Sequence, residues 1–134
     1  MNNCECTTSA ELLKNYNDAE IREILATKEN KMPIVTISDS EVTISAELNT
    51  LYRMSTVVNS LSVELPKPQD VEKVYNVVLY FKTGDSPTST ITCDDASVSV
   101  HYLYNYEIDK NITYEVNCMW NGSAWIILNA MIEI

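Results

Sequence analysis

The closing stretch Asn111-Ile112-Thr113-Tyr114-Glu115-Val116, followed by Met119-Trp120-Asn121-Gly122 and Trp125-Ile126-Ile127, decides the fold. Ile112, Tyr114, Val116, Cys118 and Trp120 fall at every second position. That spacing lines up side chains on one face of a β-strand. Asn121-Gly122 reads as a two-residue hairpin turn, because both residue types tolerate positive φ. Ala124 to Asn129 is therefore predicted to return antiparallel, with Met131 to Ile134 closing the chain.

The same grammar extends upstream. Val98 to Tyr102 and Thr90 to Thr92 read as short strands divided by Asp94-Asp95, and Asn105 to Lys110 as a loop. Val74 to Lys82 is the longest apolar run and populates both faces, as a central strand covered on both sides does. Thr83-Gly84-Asp85-Ser86-Pro87 has the composition of a turn. Leu61, Val63 and Leu65 alternate with Ser60, Ser62 and Glu64, until Pro66-Lys67-Pro68-Gln69-Asp70 breaks the strand. Leu51 to Met54, Val42 to Ala46 and Ile34 to Ile37 are three earlier short strands. Strands at about ten-residue spacing with turn chemistry between them predict a mainly β fold, an antiparallel, jelly-roll-like β-sandwich over residues 32–134.

Residues 1–31 have a different character. Ser9 can cap a helical segment from Ala10 to Tyr16, and Asn17-Asp18-Ala19-Glu20 has the form of a second helix start. Ile21, Ile24, Leu25 and Lys28 continue at helical spacing, and Met32-Pro33 ends the run. Leu13, Tyr16, Ile21, Ile24 and Leu25 supply the apolar side chains of a helix too short to be stable alone in water. They must bury either on the chain's own β-domain or against identical helices of neighbouring chains. Isoleucine at both Ile21 and Ile24 would favour three helices over two. The predicted organisation is a helical arm for docking or oligomerisation, residues 1–31, and a β-domain, residues 32–134.

Bulk properties exclude several functions. The 134 residues carry a net charge of −10, with a pI of about 4.4. Such a surface repels nucleic-acid phosphates and anionic lipids, so neither is an expected partner. Gly84 and Gly122 are the only glycines, too few for a glycine-rich phosphate cradle. No apolar run is long enough for a transmembrane helix. Met1-Asn2-Asn3-Cys4-Glu5 lacks the basic start and apolar core of a secretory signal, so synthesis and folding in a cytosol are expected. Cys4 and Cys6 form a C-x-C pair without a second pair at zinc spacing. Cys93 and Cys118 lie in strands and read as small buried thiols. The matches to the glycosylation sequon at Asn111 and Asn121 read as turn residues.

No catalytic set is evident. His101 is the only histidine, and it sits in an alternating strand. Asp94-Asp95 and Asp109 could bind calcium but read as solvated turns. The chain is expected to be no enzyme and to need no metal or cofactor. The aromatic residues leave two readings open. Tyr102, Tyr104 and Tyr106 recur at period two, Trp120 and Trp125 straddle the Asn121-Gly122 turn, and Tyr75 and Tyr80 flank the central run. They either fill a core or subunit interface, or present an exposed aromatic surface of the kind that holds sugars.

The ordered series Val42-Thr43-Ile44, Asn49-Thr50-Leu51-Tyr52-Arg53, Leu61-Ser62-Val63-Glu64-Leu65-Pro66, Val78-Leu79-Tyr80-Phe81-Lys82-Thr83-Gly84, Val98-Ser99-Val100, Lys110-Asn111-Ile112-Thr113-Tyr114-Glu115-Val116 and Trp120-Asn121-Gly122 resembles a β-module of bacteriophage fibre and virion-decoration proteins. The segment from Asn17 to Lys31 is similar to the short oligomerising spacers of phage fibres. The chain departs from that pattern at Val98-Ser99-Val100-His101-Tyr102, where a tryptophan usually follows a lysine, and in lacking the usual glycine-rich turns. The resemblance implies a structural protein of the virion, made in the host bacterial cytoplasm and carrying no active site. The implied partners are further copies of itself, a trimer before a dimer, and other virion proteins such as the major capsid protein or a fibre protein. A head fibre or capsid decoration is the first expectation. A tail or baseplate adaptor with the same module is the second, and a carbohydrate-binding module for host glycans the third.

Overall fold

The computed structural model describes residues 32–104 and 106–132. The expected helical arm, with Leu13, Tyr16, Ile21, Ile24 and Leu25, lies outside the described residues. The chain divides into two compact units between Lys31 and Met32, and the second unit is mainly β. It contains β1 (Ile34–Ile37), β2 (Glu41–Ser45), β3 (Thr50–Met54), β4 (Val58–Leu65), β5 (Tyr75–Cys93), β6 (Val100–Tyr102), β7 (Thr113–Trp120) and β8 (Trp125–Ile132).

The 19-residue strand β5 is the spine. Its first part pairs in parallel with β3, Thr50 opposite Val77, and antiparallel with β7, Tyr75 opposite Trp120. Its second part pairs in parallel with β4, from Ser60 opposite Thr88 to Leu65 opposite Cys93. β1 adds in parallel to β3, and β2 in parallel to β4. β8 returns antiparallel to β7, and β6 runs parallel to β8. The result is a six-stranded mixed sheet in the order β1-β3-β5-β7-β8-β6, with β2-β4-β5 forming a smaller parallel limb. β1 then β2, β3 then β4, and the two parts of β5 repeat one excursion, each entering the large sheet first and the limb second.

Most strands agree with the sequence reading, and the segment from Ala124 to Asn129 returns antiparallel as expected, but most of the other pairings differ in direction. An antiparallel sandwich was the expectation, and most strand pairs are parallel. Alternation of apolar and polar residues is the same in both kinds of ladder, so it cannot report a neighbour's direction. Ser38-Asp39-Ser40 looks like a hairpin turn, yet it carries the chain from the large sheet into the limb. β2 then serves as the crossover that allows β3 to lie parallel to β1.

The expected turn at residues 83–87 is a bulge within β5 instead: the strand runs on, but residues 84–87 lie outside the register of its ladders. Thr83, fully buried, marks the place where β5 passes from one sheet to the other. Its hydroxyl accepts a hydrogen bond from the Ile112 N–H at 3.0 Å and donates to the Asp109 carbonyl. Gly84 is buried beside it, where an added Cβ would collide with the Asn59 side chain. Thr83→Val keeps the shape but orphans the Ile112 N–H, and is expected to cost about 1–3 kcal/mol in a urea melt.

The hairpin after β7 is longer than the predicted two residues. Trp120 and Trp125 form its last pair, leaving a four-residue connection. The Asn121 side-chain oxygen accepts from the Ser123 and Ala124 N–H groups at 3.0 and 2.9 Å, a side-chain-built turn that the Asn-Gly rule does not anticipate.

One core joins both limbs. Val42, Ile44, Leu61, Val63, Leu65 and Ile91 face it from the small limb, and Tyr52, Leu79, Phe81, Tyr114, Val116 and Ile127 from the large sheet. Trp120 and Trp125 are buried in it as an edge-on pair with centroids 5.8 Å apart. Their indole N–H groups donate at 3.0 Å to the Val71 and Pro66 carbonyls, so the segment between β4 and β5 is pinned across the pair.

Candidate interaction surface

Two features stand out on the outside of the β-domain: an aromatic tip after β6 and an apolar outer face on the six-stranded sheet. At the tip, Tyr102 ends β6 and its hydroxyl donates to the Ile91 carbonyl at 3.2 Å. Its ring stacks on Tyr106, centroids 5.1 Å apart. The Tyr106 hydroxyl shares a 2.6 Å hydrogen bond with Ser89 Oγ. The geometry brings Tyr102 and Tyr106 together as a braced pair. Tyr104 is different: it is 87% exposed, and its φ of 63° lies in the left-handed region. A bulky side chain there costs roughly 1 kcal/mol or more. Period two therefore does not place the three rings on one face, because the strand ends at Tyr102 and the backbone turns at Tyr104.

Beside the tip, Leu103 borders a shallow groove of about 220 Å³ lined also by Asn76, Asn117, Met119, Ile126 and Leu128. These residues occupy the side of the sheet opposite the core. The strand register sets Ile34, Leu51, Val78, Asn117 and Leu128 in one row across five strands. Ile34 is 58% exposed and Leu128 40%. The sequence reading missed this face, although Trp125-Ile126-Ile127-Leu128 is apolar at consecutive positions, the mark of a strand with two apolar faces.

The Asp94 and Asp95 carboxylates serve the loops. Asp94 Oδ1 accepts from the Lys67 N–H at 2.9 Å, and Asp95 Oδ1 accepts from Ser97 Oγ at 2.6 Å and its N–H at 2.9 Å. The bonds to Ser97 hold the Asp95 carboxyl below its ordinary range. Among the described residues no group of three side chains could hold a metal ion. His101 is exposed on β6. No described helix is long and apolar enough to cross a membrane.

Burial pushes the Cys118 thiol up to about 12 from 9.0, and the Tyr106 hydroxyl up to about 12 from 10.0, the Ser89 hydrogen bond opposing the second shift in part. Both groups are favoured in their neutral forms by the folded state. Their contributions are complete below the unfolded values and are lost as pH rises through the folded ones. Stability is expected to begin falling near pH 9 and to fall more steeply above pH 10, until both groups ionise at about 12. Cys118→Ala should flatten the part between pH 9 and 10 in denaturation midpoints measured across that range.

Comparison with protein-family models, with curated proteins and with solved structures finds no match to this chain.

Proposed function

We propose that the chain is a structural component of a bacteriophage virion: a capsid-attached head fibre or decoration protein that oligomerises and docks through residues 1–31. Residues 32–134 would be its projecting, sandwich-like body. The carrying observation is where the residues of the resemblance fall. Thr83 closes the corner of β5 onto Ile112. The Tyr114 hydroxyl accepts from the Asp109 N–H at 2.7 Å, and the Tyr52 hydroxyl from the Glu47 N–H at 2.8 Å. Asn121 builds the last turn. The quoted motifs thus supply residues that hold the corners of one body, as those of a building module would.

The test is mass spectrometry of purified particles from the phage that encodes the chain. Many copies per particle are expected; a protein found only in the infected cell would overturn the proposal. A tail or baseplate adaptor is the same reading at another address, separated by fractionating heads from tails. Tyr104 favours a second reading from another class: an exposed ring held in a costly backbone conformation beside an apolar groove is a usable sugar platform. Saturable binding on a glycan array, lost in Tyr104→Ala, would favour that reading.

A further inference from the structure

The outer face of the six-stranded sheet carries a mixed row, a mainly apolar row interrupted by Asn117, and a third row with charges on either side of its centre. The register places Asn76, Met119, Ile126 and His101 in the first row, and Ile34, Leu51, Val78, Asn117 and Leu128 in the second. Thr36, Arg53, Tyr80, Glu115 and Ala130 form the third. β5 is the middle strand of the two five-residue rows, so Val78 and Tyr80 are their centres. In the third row Arg53 lies one strand to one side of Tyr80, and Glu115 one strand to the other.

This arrangement is self-complementary. A two-fold axis running along β5 in the plane of contact would lay one sheet face to face on a second copy with strands aligned, an ordinary mode of sheet packing. Val78 would meet Val78, and Ile34 would meet Leu128. Arg53 of each copy would face Glu115 of the other, giving two reciprocal ion pairs at the edge of an apolar patch. Among the described residues, the Arg53 guanidinium bonds the Thr36 hydroxyl at 3.1 Å and forms no ion pair. Lys82 lies on the same axis beyond Tyr80, exposed at the rim, where its long chain can turn aside. With strands about 4.8 Å apart and residues about 3.3 Å apart, the face covers of the order of 500 Å². That suits a specific but modest interface. We infer that this face is an interface between two copies of the chain, with its geometry set by the Arg53–Glu115 exchange.

The inference goes beyond virion attachment and does not depend on it, since it concerns the β-domain and is read in solution. The test uses the full chain by sedimentation velocity from 1 to 100 µM (about the range in which modest interfaces dissociate). Arg53→Glu sets like charges opposite each other twice, and should weaken this contact about 100-fold or more. The particle mass should halve, whatever the arm adds. Glu115→Arg alone should do the same, and Arg53→Glu combined with Glu115→Arg should restore the mass. Both side chains are exposed, so thermal melts should stay within a degree or two of the parent. Leu128→Glu, which buries a charge if the face is covered, should also halve the mass. A mass unchanged by Arg53→Glu and by Leu128→Glu would overturn the inference. So would a chain that is monomeric throughout the range, or a double charge exchange that fails to restore what the single variants lose.

Discussion

Deleting residues 1–31 is expected to leave a folded β-domain that no longer enters virus particles. Among the described residues the main buried cluster runs from Val42 to Ile127 and draws on both sheets. The chain changes character at Met32-Pro33, and the boundary between its two compact units falls at the same place. The helix expected from the sequence of residues 1–31 would be too short to stand uncovered in water, so Leu13, Tyr16, Ile21, Ile24 and Leu25 would need a partner. Segments that order on binding are suited to docking on a large assembly. The measurement is copy number per particle after complementation with the truncated chain, with circular dichroism of the purified domain as the folding control. Wild-type copy number in the truncated form would move the attachment site onto the β-domain. The Tyr102, Tyr104 and Tyr106 tip would then be the first surface to mutate.

Trp125→Ala is expected to be the most damaging single substitution in the β-domain, at about 3–5 kcal/mol in urea denaturation. The indole is fully buried, packs edge-on against Trp120 and donates to the Pro66 carbonyl. Truncation removes a large apolar volume, leaves a cavity next to Trp120 and frees one end of the segment before β5. Small domains are stable by about 5–15 kcal/mol in total, so the variant should be only marginally folded at 37 °C. Trp125→Phe keeps most of the volume and loses the donor, and should cost about 1–3 kcal/mol. Equal losses in the two variants would show that the hydrogen bond, and not the packing, holds the loop.

Much of the strand content was legible because alternation reports a face directly. Val42, Ile44 and Ala46, then Leu61, Val63 and Leu65, then Tyr114, Val116, Cys118 and Trp120 all point inward, as their spacing requires. β5 was read as two strands and a turn, because Thr83 to Pro87 has turn composition. The strand continues through that stretch as a bulge, with residues 84–87 outside the register of both ladders, and the Thr83 hydroxyl takes up the Ile112 N–H. The aromatic tip was legible as a set of residues but not as a shape. Tyr102 and Tyr106 pair and Tyr104 stands out because of one left-handed residue, which local pattern does not encode.

The sequence by itself determined that the segment after Met32-Pro33 is mainly strand, which side of most strands faces the core, and that the chain is acidic. Those are properties of single residues and their near neighbours. Only the tertiary structure decided which strands pair and in which direction. It brought Pro66 and Val71 to the two tryptophans, and Arg53 and Glu115 to either side of Tyr80. Such contacts join residues tens of positions apart. They exist only once the whole core has closed and fixed the register, and nothing in the local spacing of apolar and polar residues carries that information.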